Sequence, residues 1–167
     1  MMKILENIAG DICKTIFPIP EELYLGNSDS EIAICTLSDI QLLKKISNSS
    51  LMKDIALVGR LLSENKGIDS IIRYVNANNN LKIIILCGED VIGHYPGHSL
   101  LLLHKNGINQ DGKIIDSSSH DPVLTVSKSE ILKFQKQVKI INKIGTSNLK
   151  EISELVKSSN RFSVFHD

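Results

Sequence analysis

Tryptophan is absent and aromatic residues make up only 4% of the 167-residue chain, so few flat side chains are available to stack on nucleobases. Charge of one sign is missing too. Lys and Arg count 19 against 19 Asp and Glu, a formal net charge of zero, so no global basic field exists to hold a phosphate backbone, and nucleic acid is excluded as the main partner. The longest apolar runs, Ile83 to Cys87 and Leu100 to Leu103, fall far short of the roughly 20 residues that a membrane helix needs. The opening Met1-Met2-Lys3-Ile4-Leu5-Glu6 meets an acid before a signal-peptide apolar region can form. Cysteine is scarce: Cys13, Cys35 and Cys87 lie far apart, with neither an even count nor a Cys-x-x-Cys. That argues against a disulfide framework and a zinc knuckle and suits a reducing cytosol. The expectation is a cytoplasmic chain without membrane insertion.

What the sequence does hold is 42% hydrophobic and 23% charged residues, enough for one soluble domain over 1–167 with an aliphatic core. Ile4, Leu5, Ile8, Ile12 and Ile16 recur at helical spacing before Pro18 and Pro20, which predicts an amphipathic helix within residues 1–17. Runs of continuous aliphatic character at 31–36, 54–59 and 82–88 read as strands buried on both faces, and Lys113 to Asp116 as a fourth. Between and after them the pattern predicts helices over Ile40–Ile46 with Ser38 as cap, around Ile68–Val75, over Gly97–Asn106 closed by Gly107, and over Ser127–Ile144 with Ser127 and Glu130 as a capping box. A last helix from Asn148 to Lys157 sits within the tail 146–167. Such alternation implies right-handed crossovers and a three-layer, Rossmann-like α/β sandwich with a mainly parallel sheet.

Ligands of parallel sheets bind beyond the carboxyl ends of the strands, which directs attention to Gly88-Glu89-Asp90-Val91-Ile92-Gly93-His94-Tyr95-Pro96-Gly97-His98-Ser99. Gly88, Gly93 and Gly97 permit close approach of a bulky group, Pro96 stiffens the loop, and His94 sits centrally among them. Several readings compete. The glycine spacing is not that of a dinucleotide fingerprint. His94 and His98 stand four apart, as metal ligands on a helix would. Cys87 could serve as a nucleophile beside His94, or as a small core residue. The loop could simply carry a solvent-facing histidine. A further reading starts from His94-x-x-Gly97, the core of the Asp-x-His-x-x-Gly motif with which many cobalamin-dependent methyltransferases and mutases ligate cobalt. Here Ile92 stands where that motif has Asp. Such a carboxylate fixes the imidazole tautomer and tunes its basicity, so another acid would have to take that role.

Five segments in the same order and spacing extend the likeness: Glu31 to Leu37, Ser63 to Ile68, Leu86 to Ser99, Leu103 to Ile108, and Phe134 to Val138. From about Pro18 to Gly145 the chain resembles the cytoplasmic domain of the A subunit of tetrahydromethanopterin S-methyltransferase, the corrinoid-binding component of a methyl-transfer complex of methanogenesis. The resemblance implies a corrinoid-dependent methyltransferase component of archaeal type that binds cobalamin or a related cobamide. It would accept a methyl group on cobalt from methyl-tetrahydromethanopterin or a similar donor and, through partner methyltransferase subunits, pass it to a thiol such as coenzyme M. A non-catalytic corrinoid store or sensor is the alternative. By the same resemblance His94 is the axial cobalt ligand and the catalytic residue, while Thr36, Leu37, Gly93, Tyr95, Pro96, Gly97, His98 and Ser99 surround the cofactor.

The family's Thr-Glu-Asn pattern falls on Ser63-Glu64-Asn65. Glu64 therefore either supplies the missing carboxylate or caps the helix near Ile68. Two departures stand out. His98 replaces the family's usual Gln, and Asp116 to Leu124 replaces a Gly-Ala-rich stretch. The end, Arg161 to Asp167, is too short and polar to cross a bilayer where anchored relatives carry a spanning helix, so the chain is expected to be an anchor-free homologue.

Overall fold

The computed structural model describes residues 23–163, with the backbone alone for 161–163; the amphipathic helix read within 1–17 lies outside the described residues. In chain order the elements are β1 (Leu23–Leu25), β2 (Ile32–Cys35), α1 (Ile40–Ser47), β3 (Leu57–Gly59), α2 (Lys66–Ala77), β4 (Ile83–Gly88), α3 (Pro96–Asn106), α4 (Lys128–Gln137), β5 (Lys139–Ile144) and α5 (Leu149–Ser163). They build a five-stranded sheet of order β1-β3-β2-β4-β5. β2, β3, β4 and β5 run parallel, and β1 closes the edge antiparallel to β3.

Alternation along the strands sends side chains to two helical layers. Ile32, Ile34, Val58, Ile85 and Cys87 pack under α1 and α5, on Leu42, Ile46, Ile152 and Val156. Ala33, Cys35, Leu57, Ile84 and Leu86 pack under α2, α3 and α4, on Ile68, Ile72, Leu100, Leu103 and Phe134. The expected three-layer α/β sandwich is therefore observed. Winding reverses between β2 and β4: β2 leads outward to β3, whereas β4 leads the other way to β5. The crevice beyond the carboxyl ends at this reversal is where such sheets take ligands.

Four local readings are corrected. The helix read to Ile144 stops at Gln137, and Lys139–Ile144 is the parallel edge strand β5, paired with β4 from Ile83↔Lys139 to Gly88↔Ile144. Ile and Val at 138, 140, 141 and 144 suit either period, and β-branched residues beside a buried strand favour pairing. The strand read at Lys113–Asp116 is reduced to single bridges, Ile108↔Ile114 and Lys113↔Val123, because left-handed backbone at Gly112 and Asp116 interrupts it on both sides. β3 starts at Leu57, since a 3-10 turn at Ser50–Lys53 ends on Asp54. The cap of α1 is Asp39, which accepts from Leu42 N–H, whereas Ser38 Oγ donates to Glu89 O at 2.6 Å. The edge strand β1 carries too few residues for a periodicity signal.

Candidate functional site

Two strand ends and a helix start meet at the reversal of the sheet. After β2 the chain turns through Leu37, buried and held at φ 53°. After β4, Gly88 takes φ 72°, and a Cβ there would stand 2.5 Å from Thr36 O, so glycine is required where the two strand ends touch. Asp90 then organises the loop. Its Oδ1 accepts from Val91 N–H at 2.9 Å and Gly97 N–H at 3.1 Å, and its Oδ2 accepts from His98 N–H at 3.0 Å. The carboxylate thus satisfies the open first turn of α3, whose boundary residue Tyr95 sits at φ 39° and makes no side-chain cap. His94 is held just outside that turn, projecting from the carboxyl edge.

Glu64 faces it from the segment between β3 and α2. The two carboxylate oxygens lie 3.2 Å and 3.0 Å from His94 Nδ1. The imidazole is 53% exposed while the carboxylate is only 2% exposed. Glu64 Oε1 also accepts from the backbone N–H of Asp121 at 2.9 Å. With an acceptor-only carboxylate opposite, Nδ1 carries a ring proton and donates, and in the neutral imidazole this leaves Nε2 with its lone pair. Among the described residues no hydrogen bond engages Nε2. Glu64 does not cap α2; Asn65 does, accepting from Lys66 N–H.

The remaining residues read from sequence divide by burial. Gly93 (φ 84°) and Tyr95 flank the imidazole on the open surface, and a Cβ at Gly93 would meet nothing within 4 Å. Thr36, Leu37, Pro96, Gly97 and Ser99 are buried beneath them. Gly97 packs so closely that a Cβ would stand 2.9 Å from both Leu37 methyls. Thr36 N–H donates to Gly59 O, tying β2 to β3. Ser99 Oγ bonds the hydroxyls of Ser117 and Ser119, so the divergent 116–124 stretch is pinned to α3. His98 is exposed on α3 beyond the turn at Tyr95. Cys87 is fully buried with Sγ directed at Cys35 O, and burial, then the neighbouring Cys35 and Asp39, push its thiol up, so it is a core residue and not a nucleophile.

Sequence reasoning did not single out Asp90 or Asp121. Asp90 was legible as an acid ahead of a proline-started helix; Asp121 acts through its backbone and left no signal. Exposed Ile92 adds apolar surface at the loop tip, 87% open to solvent. Among the described residues no three or more His, Cys, Asp and Glu side chains are grouped to hold a metal ion.

The fold and site define a class of Rossmann-like α/β domain that holds one imidazole, backed by a buried carboxylate, at the reversal of its sheet. Comparison with known proteins is specific within it. The family model for the A subunit of tetrahydromethanopterin S-methyltransferase, MtrA, matches residues 14–161, and the chain belongs to that family. The A subunit of a putative methyltransferase, Mtx, of Methanosarcina barkeri is 36% identical over 134 residues, covering 80% of this chain and 64% of the relative. Its counterpart in Methanosarcina mazei is 37% identical over 105 residues, 62% of this chain and 61% of the relative. The tetrahydromethanopterin S-methyltransferase A subunit of Methanosphaera stadtmanae is 30% identical over 134 residues, 79% of this chain and 52% of the relative. The matched region thus spans between half and two thirds of these relatives. Among the described residues no helix is long and apolar enough to cross a membrane.

Proposed function

We propose that this chain is the corrinoid-carrying component of a methyl-transfer system, with a cobamide seated over the carboxyl edge of the sheet and Nε2 of His94 as its protein ligand. The observation that carries the reading is the His94–Glu64 pair. A surface imidazole is usually free to rotate and change tautomer; this one has its Nδ1–H fixed by a buried carboxylate that is itself held by a backbone N–H. The arrangement presents a basic nitrogen in one orientation on open ground.

The surroundings fit a large macrocycle. Since no further protein ligands converge among the described residues, a metal at Nε2 must bring its other ligands with it. The space around Gly93 is open, and Ile92 and Tyr95 offer apolar surface on either side of the ring. When bound, the cobamide supplies the methyl-carrying chemistry at cobalt. His94 supplies donor strength, Glu64 holds the ring proton at Nδ1, and Asp90 with Gly97 holds the loop. Methyl-tetrahydromethanopterin as donor and a thiol such as coenzyme M as acceptor complete the proposal, each brought by a partner protein.

The test is to mix the purified chain with hydroxocobalamin, desalt, and record the visible spectrum. Corrinoid is expected to co-elute with a histidine-type axial band, lost in His94→Ala and kept in His98→Ala. Glu64→Gln should weaken retention by roughly 10- to 100-fold, as loss of a ligand's hydrogen-bond partner does elsewhere. No co-elution from the intact chain, or an unchanged band in His94→Ala, would sink the proposal.

A further inference from the structure

The segment after β3 reaches His94 by a second route, through the turn that follows β2. Asp39 N–H donates to Thr36 O at 3.0 Å and closes a four-residue turn with Leu37 at its second position. Leu37 holds φ 53° there, backbone that glycine or asparagine usually supplies. A leucine keeps such a conformation only where its surroundings over-determine it. Two contacts of this turn go to the site. Leu37 is fully buried, and its methyls form the wall against which Gly97 packs at the start of α3. Ser38 holds the loop after β4 at its other end, since both its N–H, at 3.0 Å, and its Oγ–H, at 2.6 Å, donate to Glu89 O. Glu89 and Gly97 bracket the residues that carry His94, so a shift of the turn is passed to the imidazole from both sides.

Arg60, the residue that follows β3, grips this turn. Its Nε donates to Leu37 O at 3.3 Å and its Nη2 to Ser38 O at 3.0 Å, and the side chain is half-buried. A planar fork of donors suits two successive carbonyls, which the point charge of a lysine does not. Hydrogen bonds from a charged donor are also roughly twice as strong as neutral ones, so the grip is suited to holding a left-handed leucine in place. Arg60 lies four residues ahead of Glu64 on the same segment. We infer, on the reading that Nε2 is offered to a cobamide, that Arg60 is a positioning residue for His94. It fixes the Leu37-Ser38 turn and, through Gly97 and Glu89, sets the His94 loop where Nδ1 meets the Glu64 carboxylate. One segment thus supplies the carboxylate and also governs the distance of the imidazole from it.

Nitrogen-15 shifts of the His94 ring in the ligand-free full chain read this positioning without any corrinoid. In Arg60→Gln the ring proton is expected to leave its single place at Nδ1 and divide between the two nitrogens. Arg60→Lys, which can hold one carbonyl at a time, should give an intermediate pattern, and it decides the matter alone if far-ultraviolet circular dichroism shows that Arg60→Gln does not fold. Retention of hydroxocobalamin should fall about tenfold in Arg60→Gln, the lower end of what loss of a ligand's supporting contacts costs. In a Glu64→Ala background the same substitution should change retention by less than about twofold, because the partner through which it acts is gone. A ring that keeps its proton at Nδ1 in the folded Arg60 variants, whatever their urea midpoints, would overturn the inference and leave the grip a role in the fold alone. An equal factor of loss with and without Glu64 would also overturn it, assigning Arg60 to the corrinoid directly. If the parent chain retains no corrinoid, it is the cobamide reading that fails, and the ring shifts still decide the role of Arg60.

Discussion

At the scale of single residues, the molecule spends its buried polar groups on aiming other groups. Glu64 is almost wholly inaccessible, yet it accepts from two donors, His94 Nδ1–H and Asp121 N–H. An unpaired buried carboxylate would cost several kcal/mol, so each donor stabilises the other's acceptor. In Glu64→Ala the ring loses the partner that selects its tautomer. Nitrogen-15 shifts of the His94 ring are expected to show the proton at Nδ1 in the parent and a mixture in the variant; an unchanged pattern would mean that Glu64 does not orient the ring.

Cys35 makes a second residue-scale case. Burial, the largest cause, pushes its thiol from the ordinary 9.0 to about 12, with a backbone hydrogen bond from Leu37 opposing and Asp90 reinforcing the rise. The folded state thus keeps a proton that the unfolded chain releases above about pH 9. The contribution to stability is complete below that pH and declines as pH rises toward 12, by at most about 1.4 kcal/mol per unit. Denaturant midpoints of the parent and Cys35→Ala should therefore converge between pH 9 and 11, and a constant difference would remove the thiol as the cause.

At the scale of elements, the close contact of β2 and β4 sets what their ends can be. Gly88 combines a left-handed φ with a 2.5 Å approach of Thr36 O to the position of a Cβ. Gly88→Ala is expected to cost more than about 2 kcal/mol, since neither the backbone oxygen nor the φ can relax cheaply, and urea unfolding measures it. This end of the fold was legible because a run such as Ile83 to Gly88 has one plausible structure, a strand buried on both faces and closed by glycine. The loop after it and His94 were legible for the same reason. The capping box of α4 was legible as well: Ser127 and Glu130 bond reciprocally, and those bonds hold the Glu130 carboxyl below its usual range. What could not be read was where neighbours decide. Val138 to Ile144 has a period that serves helix or strand, and only pairing with β4 resolves it. Lys113 to Asp116 looks like a strand but finds no ladder to join. Glu64 was ambiguous between cap and partner until Asn65, next in sequence, proved to hold the cap.

At the scale of the whole molecule, the stretch from Ser117 to Val126 ties the helical layer to the site. Ser117 and Ser119 bond Ser99 on α3, Asp121 donates to Glu64, and Thr125 and Val126 donate to Asp69 on α2. Asp69 is buried and accepts from Thr125 N–H at 3.1 Å, Thr125 Oγ–H at 2.6 Å and Val126 N–H at 3.2 Å. Every group facing its carboxylate in this set is a donor. In Asp69→Asn one oxygen becomes an NH₂ that points at N–H groups and cannot accept from them, so a loss of about 2–4 kcal/mol in unfolding free energy is expected. The more telling effect is remote. Slack at Thr125 reaches Asp121 four residues away, so in Asp69→Asn the amide of Asp121 should exchange hydrogen faster under native conditions, relative to amides of β4, than in the parent. The same exchange is expected in Ser119→Ala, which loosens the stretch from its other end. If Asp121 stays as protected as β4 in both variants while overall stability falls, the stretch is a passive cover. Selective loss of protection there would identify it as the frame that holds Glu64 on His94.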